Sequence, residues 1–367
     1  MKILVDGMPR NLGGIGTLLI NIVHCNERNG NKENIVFEFL IPAGSAYKGL
    51  LDREKYKYYE VPRVMTGEYK STVNMVFEKN HYDFVWINNT SKVNIYLLKK
   101  AKEKGTLIIV HSHGVSTEAT GLKGAVYKLI ECIIGSKYCE LIDIPLACSS
   151  ASADYFYPEK LREKCLIVSN GIEVEKYKFD RRKREKIRTS LNIQSSDVLL
   201  GAVGRLTKVK NYEFLLYLLS ELPFNYKLVI VGDGEDKQIL NKLIDELSLK
   251  DRVMLLGKVS NVEAYLCAMD YFMMPSINEG MPFSLIEAQT NGLKCLVSTG
   301  VSAETDLTGL VRFISLDEKN MWKQALINDE CLNLNRESAA EEIIKSGFSI
   351  EHSYELLIDC LKNRYRG

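Results

Sequence analysis

Apolar residues fall along the chain in short runs rather than in one long stretch. "KILVDG", "NIVFEFLIP", "YDFVWIN", "TLIIVHSHG", "IPLACSS" and "KCLIVSNG" are nearly continuous apolar segments, several closed by Gly, Ser or Asn. That pattern predicts strands buried on both faces. Between them, "GTLLINIVHCNERNG", "SKVNIYLLKKAKEKG" and "AVYKLIECIIGSKYCE" place apolar residues at helical spacing. The series restarts after residue 188 with "DVLLGAVGR", "YKLVIVGDG", "DRVMLLG", "YFMMPS", "LKCLVSTG" and "VRFIS", again separated by helical stretches. Strands alternating with helices predict parallel, doubly wound α/β sheets, and two series predict two Rossmann-like domains, residues 1–180 and 189–348. The last helix, "IEHSYELLIDCLKNRY" within about 349–367, has no strand after it and is expected to pack back on the first domain.

Composition narrows the class. A chain of 367 residues, 46% hydrophobic and 26% charged, is that of a globular protein with room for two cores. No apolar run approaches the roughly 18 residues of a membrane-spanning helix. The opening "MKILVDGMPR" runs straight into a strand and lacks a signal peptide's apolar region and cleavage site. Nine scattered cysteines without a C-x-x-C pair fit free thiols in a reducing cytoplasm. The net charge of +1 hides an asymmetry, a mildly basic first half and an acidic second half. Between them "RRKREKIR", 181–188, reads as a solvated linker or helix start. No basic stripe with interleaved aromatics is present, so nucleic acid is not expected as a partner. "TGLKGAVYKLIECIIGSKY", 120–138, reads as an amphipathic helix. It either faces the core or rests Lys123, Lys128 and Lys137 on an anionic membrane surface, holding a cytoplasmic protein on the inner face of the membrane.

In doubly wound sheets, ligands collect beyond the C-terminal ends of the strands. "NLGGIGTLL" follows the first strand, but Gly14-Ile15-Gly16-Thr17 does not complete a dinucleotide fingerprint. It serves equally well as a tight turn or a phosphate site. "IIVHSHG" ends another strand with His111 and His113, which are expected to point to opposite sides, so that at most one faces a ligand. No convergent Cys or Asp accompanies them, and no metal site is expected. "VGRLTKVKN" sets Arg205 and Lys210 beside a helix start, where two cations suit a diphosphate or are simply surface charges. "PSINEGMPFSLIEAQTNG", 275–292, places Glu279 in a turn and Glu287 on the following helix. With Gly280, Met281, Pro282 and Phe283 it offers a carboxylate beside free backbone donors, suited to sugar hydroxyls and phosphate; a capping and a surface glutamate are the plainer reading.

Residues 275–299 resemble the signature of retaining glycosyltransferase family 4, two glutamates separated by seven residues. "GRLTKVKN", "LVIVGDGE", "VMLLGKVSNVEAYLCAMDYFMMPS" and "VSNGIEVEKY" are similar to that family in order and spacing, and "HSH" with "ACS" resembles its capsular and exopolysaccharide branch. The resemblance implies the GT-B fold, two Rossmann-like domains facing across a cleft, with the C-terminal one holding a nucleotide sugar, a UDP-sugar above all. It implies Arg205 and Lys210 at the donor diphosphate, Glu279 at the donor sugar, and the backbone of Gly280 to Phe283 at sugar and phosphate. Glu287 would hold the ribose, and Lys258-Val259 would lie by the base. Gly13-Gly14 would lie near the phosphates and His113, or else His111, near the reacting sugar. Lys294 departs from the family's usual proline, outside the site. The implied activity is transfer to a saccharide or polyprenyl-diphosphate-linked acceptor, with no cofactor and no metal.

Two rivals remain open from the sequence. "DGED", 233–236, hints at a metal-dependent transferase of another fold, although it reads as a strand-ending turn. A catalytically silent partner subunit of another transferase is the second, against which stands the presence of Arg205, Lys210, Glu279 and Glu287 together.

Overall fold

A computed structural model describes residues 1–64, 66–89, 91–114, 133–328 and 336–365. The chain divides into two compact units, Met1–Gly171 with Ile350–Gly367, and Ile172–Ser349.

The first unit holds β1 (Lys2–Asp6), β2 (Val36–Pro42), β3 (Lys57–Val61), β4 (Phe84–Asn89), β5 (Leu107–Ser112), β6 (Ile144–Ala147) and β7 (Leu166–Ile167). They form one parallel sheet in the order β3-β2-β1-β4-β5-β6-β7. The middles of the central strands are apolar because helices cover both faces of the sheet: Ile3 to Val5, Phe84 to Ile87 and Ile108 to Val110 are buried. β3 escapes the apolar-run pattern because it is an edge strand whose "KYYEV" leaves Lys57 and Glu60 exposed. The helix Ile350–Tyr365 belongs to this unit and packs on the helix Gly14–Arg28. Tyr354 donates to Asn26 Oδ1 at 2.8 Å, and Lys362 pairs with Glu33 at 2.7 Å.

The second unit holds β8 (Val198–Val203), β9 (Tyr226–Val231), β10 (Val253–Gly257), β11 (Tyr271–Met274), β12 (Lys294–Ser298) and β13 (Val311–Ile314). Their parallel order is β10-β9-β8-β11-β12-β13. Neighbouring residues along each strand serve opposite cores. Leu199, Val229, Phe272 and Cys295 enter one, while Leu200, Ile230, Met273 and Leu296 enter the other. This is a doubly wound sheet with a core on each face.

Of the two readings of the basic run, a solvated linker or a helix start, the structure bears out the second. It is the helix Arg181–Ser190, started by Asp180, whose side chain accepts from the backbone of Arg182 and Lys183. Arg184 and Arg188 clasp Asp270 at 2.6 and 3.0 Å and also donate to the carbonyls of Cys267, Ala268 and Met269. Two of the six cations thus serve packing, through a partner too distant in sequence for charge counting to find. Residues 172–188 belong to the second unit.

Most of the amphipathic segment 120–138, with Lys123 and Lys128, lies outside the described residues; Lys137 is exposed. Among the described residues no helix is long and apolar enough to cross a membrane, and the cysteines are free thiols.

Candidate functional site

Loops after β8, β9, β11 and β12 meet at the C-terminal edge of the second sheet. Leu206 donates its backbone N–H to Asp233 O at 3.1 Å, and Ile277 donates to Val209 O at 2.8 Å. Glu279 is pinned on both sides: its N–H donates to Gly300 O at 3.0 Å, and its carbonyl accepts from Ser302 at 3.1 Å. The turn over Thr207–Lys210 ends at Asn211, left-handed with φ of 53°, ahead of the helix Tyr212–Ser220.

That framework brings two of the candidate residues together. Lys210 Nζ lies 2.6 Å from Glu279 Oε1, with each side chain only 17% exposed. The contact has ion-pair distance without hydrogen-bond geometry, and among the described residues this carboxylate oxygen has no other partner. Arg205 is set apart from them: its guanidinium is exposed and leans on Glu235 at 3.5 Å. In the "DGED" turn, Glu235 is taken by Arg205 and Asp233 by Lys237 at 3.6 Å.

The helix Phe283–Thr290 begins beside this pair. Pro282 is its N-cap and offers no side-chain cap. Its carbonyl accepts from Leu285 and Ile286, while the N–H groups of Gly280, Met281, Phe283 and Ser284 find no acceptor among the described residues. Free donors at a helix start, reinforced by the helix dipole, favour negative charge. Met281 and Phe283 anchor the turn by packing on the core.

Glu287 sits on the same helix in an apolar setting. Burial pushes its carboxyl above the usual carboxylate range and Glu263 adds like charge, opposed by a hydrogen bond from Tyr177 and by Lys176. Glu263 itself has a buried Oε2 with no hydrogen-bond partner among the described residues. Val259 packs against the core of the second unit, whereas Lys258 is exposed.

In the first unit, Gly13 caps the helix Gly14–Arg28, and its backbone N–H and C=O are both taken by the Tyr47 hydroxyl at 2.9 Å. A Cβ on Gly16 would stand 2.2 Å from the Tyr47 ring. Part of the glycine loop therefore exists to seat that tyrosine. Gly14 opens the helix and is half-buried.

The histidine expectation is overturned. His111 and His113 do not point to opposite sides; their rings lie 4.1 Å apart. Residues two apart in a strand share a face, because side chains alternate with a period of two. His111 is fully buried, bonded through Nε2 to Val168 O at 3.1 Å and stacked on Trp86. His113 contacts Asn170 Oδ1 at 3.0 Å and Asn88 Oδ1 at 2.9 Å. Burial lowers its pKa to about 4, opposed by the Asn170 contact, so it is a neutral imidazole at pH 7. One ring nitrogen then donates, and the other requires a turned-over asparagine amide as its donor.

Residues 183–307 match the family model described as glycosyl transferases group 1. EpsF of Bacillus subtilis, named as a glycosyltransferase, is 23% identical over 97% of this chain and 94% of its own. The group 1 match thus lies in the second unit, and the likeness to named glycosyltransferases runs along nearly the whole chain. A galactosyltransferase of Escherichia coli, named for UDP-Gal and α-D-GlcNAc-diphosphoundecaprenol, is 28% identical over 80% of each chain. The crystal structure of Anabaena HepE in complex with UDP superposes with a TM-score of 0.80 at 18% identity, covering 99% of this chain and all of that one. The chain has the GT-B fold.

Three residues of the second unit escaped sequence reasoning. Tyr177 and Lys176 lie in "VSNGIEVEKY", which carried family resemblance but no assigned role. Glu263 lies in "SNVEAYL", where nothing marks its carboxylate as buried.

Proposed function

We propose that this glycosyltransferase moves a sugar, with retention of anomeric configuration, from a UDP-sugar to a saccharide carried on a polyprenyl diphosphate in polysaccharide synthesis. The observation that carries the reading is the Lys210–Glu279 pair beside the free N–H groups of 280–284. The helix start and Lys210 receive the diphosphate, Glu279 takes the sugar hydroxyls, and Glu287 takes the ribose. Arg205, exposed at the mouth of β8, swings onto the phosphates. HepE, the structural neighbour, was crystallised with UDP and with UDP-glucose, and the Escherichia coli relative is named for a UDP donor and a lipid-linked acceptor.

In the transfer, the bond from the anomeric carbon to the diphosphate oxygen breaks and its electron pair leaves with UDP. The acceptor oxygen forms the new bond on the same face, and its proton passes to the departing phosphate oxygen. Charge growing on the diphosphate is met by Lys210, Arg205 and backbone dipoles already oriented, the arrangement that lowers such barriers most. The Escherichia coli relative's name specifies an α-1,3 product; UDP-galactose is itself α-linked, which accords with retention.

A panel of UDP-, GDP- and ADP-sugars, incubated with the protein in EDTA and followed by NMR of the released sugar, tests this. UDP-sugar turnover with the anomeric configuration retained is expected. Turnover confined to another nucleotide, or an inverted product, contradicts it.

A further inference from the structure

We propose that Asp6, Asn89 and Asn94 form a second carbohydrate subsite, in the first unit, that grips hydroxyls of the acceptor saccharide. The proposal rests on the acceptor reading above and adds the residues that would hold it. The order β3-β2-β1-β4-β5 places the topological switch point between β1 and β4, where open parallel sheets bind ligands. Asp6 ends β1 and pairs in register with Ile87; Asn89 lies two residues further along β4. Leu4, Val85 and Ile87 share one core with Tyr69 and Tyr138, so Asp6 and Asn89 continue that face beyond the apolar part of the sheet. Asn94, only 6% exposed, approaches from the start of the helix Ile95–Glu103.

The hydrogen bonds there are incomplete in one direction. Asn94 Nδ2 donates to Tyr69 Oη at 2.6 Å and leans on Asp6 Oδ2 at 3.5 Å. Asn89 Nδ2 donates to Tyr138 Oη at 3.1 Å. Among the described residues the carbonyl oxygens of both amides are buried with no partner. Buried amide oxygens are normally satisfied, and leaving one unmet is costly. Turning either amide over moves the unmet group from oxygen to nitrogen without answering it. A hydroxyl, which gives and accepts, answers either orientation; a metal ion answers only oxygen. A carboxylate beside Asn94, on the face that Asn89 continues, completes a site for a polyhydroxylated ligand.

The carboxylate is held in place by a built turn. Gly7 has φ of +101°, and a Cβ there would lie 1.7 Å from Asn88 O, so the chain leaving β1 is pressed onto the end of β4. That approach requires glycine.

Ligand-observed saturation-transfer NMR with the α-methyl glycosides of glucose, galactose, mannose, N-acetylglucosamine and N-acetylgalactosamine tests the subsite. At least one glycoside should give transfer with the wild type. Asp6→Asn and, independently, Asn94→Leu should reduce that signal at least tenfold, while each variant binds UDP in calorimetry as the wild type does. Asp6→Asn that unfolds leaves Asn94→Leu to decide. No transfer for any glycoside, or transfer indifferent to both changes, overturns the subsite; the second result would place the sugar among the donor contacts instead. Failure of the wild type to bind UDP in the same calorimetry would count against the donor reading, not against this one.

Discussion

Asp6 sits where its charge is opposed. Burial raises its carboxyl from 3.8 to about 6, against a backbone hydrogen bond from Gly7 and the contact with Asn94 that favour ionisation. Between those two values the folded chain keeps a proton that the unfolded chain has released. Its contribution to stability therefore falls as pH rises from about 4 to about 6. At about 1.4 kcal/mol per pK unit, ionised Asp6 costs at most roughly 3 kcal/mol at pH 7. Asp6→Asn keeps the shape and removes the charge. By calorimetry its melting temperature should match the wild type near pH 4 and exceed it increasingly up to pH 6 and above. A difference that does not change with pH contradicts this account of Asp6. A residue kept at such a cost is the kind that a site, rather than a core, retains.

At the scale of elements, polar partners decide what the apolar pattern leaves open. The helix Arg181–Ser190 is fastened by Asp270, whose side chain is 5% exposed and also accepts from Leu199 N at 2.7 Å. Asp270→Ala would leave Arg188 buried without its carboxylate, and removing one partner of a buried pair costs roughly 3–5 kcal/mol. Denaturant unfolding should register that loss, whereas Arg181→Ala, exposed and paired only with Glu185, should change stability by less than about 1 kcal/mol. Equal effects would mean that the clasp does not hold the helix. The run "RRKREKIR" contains both arginines, yet nothing in it separates Arg188 from Arg181. The six strands of the second unit were legible because each is an apolar run bounded by polar turns. β3 was not, since an edge strand carries lysine and glutamate. Glu279 and Lys210 were legible by spacing and resemblance. Tyr177 against Glu287, and Asn94 against Asp6, were not, because each contact joins positions tens of residues apart.

For the whole molecule, each unit carries polar groups at the C-terminal edge of a parallel sheet, and the two sets differ in kind. The second unit offers cations and free N–H donors, which suit an anionic diphosphate. The first offers a carboxylate and amide oxygens, which suit hydroxyls. In the function proposed above, donor and acceptor fall to separate units and the chemical burden to Lys210, half of the only ion pair that joins the two motif loops among the described residues. The turnover of Lys210→Ala at saturating UDP-sugar, measured as UDP release with the sugar that the wild type uses, tests this most directly. Losing a charge that stabilises the departing diphosphate should lower turnover by roughly 10²–10³. A variant that turns over like the wild type at saturating donor would show that Lys210 does not stabilise the leaving group, and the central assignment would fall.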